Sequence, residues 1–339
     1  MKHTLIWGLL AASLCAASCA QEPTENVGEL NKAVFEAWIQ THKEASWQET
    51  ELGSWIISME EGDVENKSVA SIDDNPYLRI RYTVTDVNGK VSETTDEAIS
   101  KRIGKYDKRS WYGPRFTYRA ENNTYVGIEE IFAKMGVGGH FKAVIPGWLL
   151  TTTRRDNKQA YLNAMTSSTA AAIYDVTIEE SVKDVNAWEL NVLKERIGAE
   201  IDKVDTLADG VFYIQDKVSD KPDTTFAKDA KVYINYICRR IDGVGIDTNL
   251  ADSAKVFGGS ADGKAKLINW GEKATDLTMG TDKSTVVAGF SYGIFNMKPH
   301  EKGRVYMTST NAYDKTGSGT YIPAYCPIYF ELEMVDNNE

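Results

Sequence analysis

The chain has 339 residues, 42% of them hydrophobic and 26% charged, with a formal net charge of −11 at pH 7. That length exceeds what one hydrophobic core spans, so two domains are expected. The composition excludes wholesale disorder. The acidic balance argues against a nucleic-acid partner, because a negative surface repels phosphate backbones.

At the N-terminus, Lys2 and His3 precede an apolar run from Leu5 to Leu14. The run is too short to cross a bilayer and has the length of a signal-peptide core. It leads into Ala16-Ala17-Ser18-Cys19. Small residues directly before a cysteine resemble the lipobox of bacterial lipoproteins. That resemblance implies that residues 1–18 are a signal peptide, that Cys19 carries lipid, and that residues 19–27 are a tether. The protein would then sit in the bacterial cell envelope, lipid-anchored in the periplasm or at the outer membrane. Ala16 stands where leucine is more usual, and a plain signal peptide cut after a small residue is the alternative. No second apolar segment of membrane-spanning character follows. Beyond Cys15 and Cys19, only Cys238 and Cys326 remain, and sequence alone leaves their pairing open. No cysteine or histidine pair has zinc spacing, so neither metal nor cofactor is expected.

The chain then repeats itself. An amphipathic helix carrying Leu30, Val34, Trp38 and Ile39 precedes Gly53-Ser54-Trp55-Ile56-Ile57-Ser58. A second, carrying Trp188, Val192, Leu193 and Ile197, precedes Gly210-Val211-Phe212-Tyr213-Ile214-Gln215. Leu78-Arg79-Ile80-Arg81-Tyr82 matches Val232-Tyr233-Ile234-Asn235-Tyr236, and each is followed by a hairpin signal, Asn88-Gly89 and Asp242-Gly243. Gly127 and Met135 recur at one offset as Gly289 and Met297, and the β-like run from Gly139 recurs from Gly303. Ile173-Tyr174-Asp175-Val176 recurs as Tyr329-Phe330-Glu331-Leu332. Matches in the same order mean duplication. The alternating runs predict an antiparallel sheet with one covered face, and the glycine-led helix is its cover. The class is α+β, in two units meeting near residue 183. The insertion from Leu250 to Lys283 reads as a solvated loop or a flap, and the basic run from Lys101 to Arg109 as a solvated surface.

The second unit resembles the FKBP-type peptidyl-prolyl isomerases. The resemblance rests on Asn235-Tyr236, Asp242-Gly243, Ile246-Asp247-Thr248-Asn249, Val286-Val287-Ala288-Gly289-Phe290, Ala312-Tyr313, Ile322-Pro323 and Phe330-Glu331-Leu332, in family order. The first unit is similar but weaker: it keeps Tyr82 and Gly127, but has Ser92-Glu93 for aromatic-aspartate, Ile128 for tryptophan, and Leu150 near the place of the loop tyrosine. The resemblance implies two tandem FKBP-like domains, 28–182 degenerate and 183–339 catalytic. It implies that proline-containing polypeptides are the substrates and the folding of exported proteins the task.

The resemblance also assigns a site. Phe290 would floor the proline pocket, with Tyr236, Ile246, Val287 and Phe330 as walls and Ile322 overhanging. Tyr313 would donate to a substrate carbonyl, the Val287 N–H would bind another, and Asp247 would stand beside the twisting bond. Here Phe290 replaces tryptophan, Ile246 replaces phenylalanine, and Ser318 stands where the family often has histidine. Each residue also has an ordinary role open to it: Tyr236 and Phe330 as core, Asp247 as a turn cap. Two other readings compete. Gly289-Phe290-Ser291-Tyr292-Gly293 spells a nucleophile elbow, but Glu129 replaces the serine in the first copy and no alternating βα pattern surrounds it. The stronger rival is a non-catalytic peptide-binding chaperone or envelope scaffold.

Overall fold

The computed structural model describes residues 27–165 and 169–337. Cys19 and the expected leader and tether lie outside the described residues, except that Val27 opens the first helix.

The first unit opens with helix α1 (Val27–His42). Phe35 and Ile39 are its buried face, at 4% and 5% exposure, with Trp38 packed against the same core. Leu30 and Val34, expected on that face, are about half exposed. The edge of Phe35 meets the Trp148 ring at 5.1 Å. That contact turns the far side of the helix, with Leu30, to solvent.

Strands β1 (Trp55–Glu60), β2 (Tyr77–Asp86), β3 (Val91–Thr94) and β4 (Arg115–Tyr118), helix α2 (Val126–Phe132), and strands β5 (His140–Ile145) and β6 (Ala172–Val182) follow. The sheet is antiparallel in the order β1-β5-β6-β2-β3, with β4 also on β2.

The second unit repeats this. Helix α3 (Val185–Ile197) begins at Asp184, whose carboxylate accepts from the Ala187 N–H, and it buries Leu193 and Ile197. Strands β7 (Val211–Lys217), β8 (Lys231–Arg240) and β9 (Gly245–Thr248), helix α4 (Ala251–Phe257), strand β10 (Lys266–Asn269), helix α5 (Ala288–Asn296), and strands β11 (Lys302–Met307) and β12 (Ile328–Val335) complete it. Its sheet runs β7-β11-β12-β8-β10, with β9 also on β8, again antiparallel. Two successive units with one topology make the molecule a tandem α+β protein.

Each glycine-led helix lies on its sheet. A Cβ at Gly127 would meet Ile145 at 2.6 Å, and one at Gly289 would meet Met307 Sδ at 2.4 Å. Only glycine lets the helix approach that closely, and the close approach buries Ile131 and Phe132 in one core and Phe290 and Ile294 in the other. Each such side chain contributes about 1.5–3 kcal/mol by leaving water.

The insertion after Leu250 is not merely a solvated loop. It carries α4 and β10, and β10 extends the sheet by pairing with Lys231–Ile234. Nor is the basic run simply solvated: the segment between β3 and β4 reaches the second unit. The Trp111 N–H donates to Thr320 O at 3.0 Å, Ser110 bonds Thr320 through their hydroxyls, and Lys108 bonds the Val256 carbonyl. Arg240, 2% exposed, donates through Nη1 to Arg109 O and Tyr321 O, both at 2.8 Å, and its guanidinium lies 4.9 Å from the Trp111 ring centre.

Candidate active site

Helix α5 presents Phe290 in its first turn, 2% exposed. The Phe330 ring from β12 lies 4.8 Å from it, and the Tyr236 ring from β8 lies 5.8 Å from it in edge-to-face array. Such pairs prefer this geometry because ring edges are positive and faces negative. Ile246 and Ile322, at 6% and 5% exposure, belong to the same cluster, and Val287 and Tyr313 pack against it half-buried. Val287 is extended (φ −63°, ψ 144°) at the N-terminal cap of α5, where helix N–H groups lack intrahelical partners.

Asp247 is exposed on β9 and accepts a 2.7 Å hydrogen bond from the Tyr236 hydroxyl, so it caps no turn. Burial pushes the Tyr236 phenol well above its ordinary value, and the Asp247 carboxylate adds to this. Burial also pushes the Tyr313 phenol up to about 12, with Cys238 and Asp247 as further contributors. Both hydroxyls therefore keep their protons at neutral pH and can donate. The structure brings seven of the eight assigned pocket residues to one apolar cluster, with the eighth, the Asp247 carboxylate, at its rim.

Other sequence candidates fall elsewhere. Ser291 is 2% exposed inside α5, and His300 bonds Asp220 and Asp336 at 2.7 and 3.1 Å, so no serine–histidine pair forms. Cys238 and Cys326 are both free thiols, buried in the core. Among the described residues no group of histidine, cysteine and carboxylate side chains could hold a metal, and no helix is long and apolar enough to cross a membrane.

The first unit holds the same framework. Val84 pairs with both Glu93 and Tyr174, as Cys238 pairs with both Asp247 and Phe330. The Tyr82 hydroxyl donates to Glu93, and the Tyr82 N–H donates to Thr95 Oγ1 at 2.9 Å, where the Tyr236 N–H donates to Asn249 Oδ1 at 2.7 Å. Ile128 takes the place of Phe290. Arg115 Nη1 reaches Glu93 at 3.1 Å. Its counterpart on β10 is Lys266, paired opposite Ile234 as Arg115 is opposite Ile80, but Lys266 turns to Asp262 at 3.1 Å. Asp247 forms no ion pair among the described residues. The sequence reading missed this first-unit trio of Tyr82, Glu93 and Arg115.

The sequence model of one family, described as FKBP-type peptidyl-prolyl cis-trans isomerase, matches residues 223–335. The second domain is of the FKBP type. No curated protein matches the chain as a relative. A peptidyl-prolyl cis-trans isomerase from Pseudomonas syringae pv. tomato is 19% identical, covering 46% of this chain and 94% of its own, with a TM-score of 0.33. The three FKBP domains of wheat FKBP73 are 13% identical, covering 86% of this chain and 98% of their own, with a TM-score of 0.29. The N-terminal domain of FKBP42 from Arabidopsis thaliana is 15% identical, covering 40% of this chain and 92% of its own, with a TM-score of 0.30. The matched stretch of the FKBP-type domain contains all eight pocket residues.

Proposed function

We propose that the chain is a peptidyl-prolyl cis-trans isomerase whose second domain carries the activity and whose first domain does not isomerise. The prolyl amide resists rotation through its partial double-bond character, a barrier of about 18–20 kcal/mol. Rotation requires no nucleophile and no metal; it requires the amide to lose planarity. The proline ring seats on Phe290 between Tyr236, Ile246 and Phe330. Tyr313 donates to a substrate carbonyl and the Val287 N–H to a second, which orients the chain about the twisting bond. Asp247, held by Tyr236, stabilises the turning amide dipole from the rim. The observation that carries this reading is the convergence of Tyr313, the Tyr236–Asp247 bond and the Phe290–Phe330 pair on one apolar cluster.

The substrates are proline-containing polypeptides, and the task is assistance in folding exported proteins. Cys19 carries lipid that anchors the chain in the bacterial envelope, at the periplasmic face or the outer membrane. Mass spectrometry of the full-length protein made in a bacterial host tests this: an unmodified Cys19 sinks the anchor.

The isomerase test uses residues 20–339 and short X-Pro peptides, beside a Tyr313→Phe, Asp247→Ala double variant. A hydrogen bond to a charged or polarised group contributes about 1.5–3 kcal/mol, so the double variant should lose at least about tenfold in kcat/KM. A specific observation favours a second reading. Phe290, Phe330, Ile246 and Ile322 are all at most 6% exposed, so these side chains are packed as core. Folded protein without acceleration would leave a peptide-binding chaperone or envelope scaffold.

A further inference from the structure

A cavity of about 620 Å³ lies on the first domain where its own copy of the pocket would be. Its floor is Ile128 and Phe132 from α2, with Tyr174 from β6 beside them. Tyr125, 43% exposed at the start of α2, stands at its rim. One wall is polar, the Tyr82–Glu93–Arg115 trio. The facing wall comes from the other domain: Thr316, Gly319, Ile322 and Pro323 of the loop that carries Tyr313.

That loop is fixed in place from the first domain. The Tyr321 hydroxyl donates to Asp107 at 3.0 Å and accepts from Arg109 at 2.8 Å. Thr320 takes the Trp111 N–H and the Ser110 hydroxyl. The Tyr325 ring lies 5.3 Å from Tyr77 and 5.7 Å from Phe116. Ile322 belongs at once to this cavity and to the buried cluster around Phe290. One loop therefore joins the wall of this cavity to the buried cluster of the second domain.

We propose that this cavity is a second polypeptide-binding site, which holds an extended apolar segment beside the neighbouring prolyl pocket. Its size falls within the range of ligand pockets, roughly 300–1,000 Å³. An apolar floor under one polar wall suits a bulky side chain attached to backbone dipoles. Glu93 on the wall and the net charge of −11 disfavour an anionic ligand. A chain lying along the loop runs from this cavity toward Tyr313 on the same loop, so one substrate can be held at the first domain while its prolyl bond turns at the second. The choice of a polypeptide as ligand rests on the isomerase reading of the second domain, and the test separates the two.

The probe is a short fluorescent proline-free peptide with alternating leucine and phenylalanine, read by anisotropy against residues 20–339. The expected result is saturable binding that weakens about tenfold in Tyr125→Ala and again in Thr316→Trp. Both positions are exposed, and unchanged thermal unfolding confirms that both variants fold. Absence of binding, or equal affinity in Tyr125→Ala, overturns the site. Weakening in Tyr125→Ala but not in Thr316→Trp overturns its composite construction. The X-Pro peptide assay on the same preparations is independent. Isomerisation without proline-free peptide binding sinks only this inference, and binding without isomerisation sinks only the isomerase reading.

Discussion

Arg240 is the residue on which the contact between the two domains turns, and its removal has a calculable consequence. Its side chain is 3% exposed, and its guanidinium pairs with Asp242 at 2.8 Å. It also donates to the carbonyls of Arg109 and Tyr321, one on each side of the interface. In Arg240→Met the apolar stem is kept but its five donor contacts, to Asp242, Arg109 and Tyr321, vanish. Breaking a buried ion pair by removing one partner costs about 3–5 kcal/mol. Asp242 is 34% exposed and recovers part of its hydration, while the two carbonyls lose their donor, at about 1–3 kcal/mol for each that stays dry. A loss of about 3 kcal/mol follows. For a unit of this size that lowers Tm by about 6–12 °C, read by circular dichroism or calorimetry. The matched control is Arg239→Met. Arg239 is 23% exposed, pairs with Glu331, itself 38% exposed, and donates to the Gly243 carbonyl, so its loss costs about 1–2 kcal/mol. Equal shifts in the two variants would refute the claim that the buried arginine stabilises the interface.

Tyr213→Phe removes the 2.7 Å donor to Glu301, which is 1% exposed, and should lower stability by about 2 kcal/mol, seen in urea unfolding. His300 lies between Asp336 and Asp220, whose hydrogen bonds raise its pKa. A raised folded-state value stabilises fully below the unfolded value of about 6.5 and is lost as pH rises through the folded value. Wild-type stability should therefore fall across that window, and in His300→Gln it should stay flat. Burial raises the carboxyl pKa of Glu189 despite donation from the Ser309 N–H and hydroxyl. Glu189→Gln should thus be at least as stable as wild type at neutral pH, with the advantage fading as pH falls toward about 4.

The duplication and the class of fold were legible because they rest on local signals: the hairpin turns, the glycine that admits each helix, and strand alternation. What misled was anything decided by packing partners. Leu30 and Val34 look core-facing from periodicity alone, but docking through Phe35 and Ile39 turns that side outward. The run from Gly139 matches the run from Gly303 by its glycines, yet the ladders place Phe141 opposite Val176 as Gly303 is opposite Leu332. The matched glycines differ in purpose: a Cβ at Gly303 would sit 2.1 Å from the Tyr213 hydroxyl.

The first-domain pocket shows where a usable signal was overlooked. Tyr82, Gly89 and Glu93 repeat the spacing of Tyr236, Gly243 and Asp247, so the hairpin delivers a carboxylate to the tyrosine in both copies. Glutamate for aspartate looks like decay when residue types are compared. The geometry shows that the longer side chain reaches the same hydroxyl and gains an arginine. Arg115 escapes notice because the two copies have insertions of different length before the strand that carries it. The three tyrosines and two prolines between Asn311 and Pro327 are a different case. Within one domain they exceed what the lip of a single cleft requires. With Tyr321 tied to Asp107, Tyr325 set against Tyr77 and Phe116, and Pro323 lining the first domain's cavity, the surplus is the second domain's share of the contact. Contacts between residues this far apart in sequence leave no periodic trace, so the loop's aromatic excess was the one sign that it has two faces to cover.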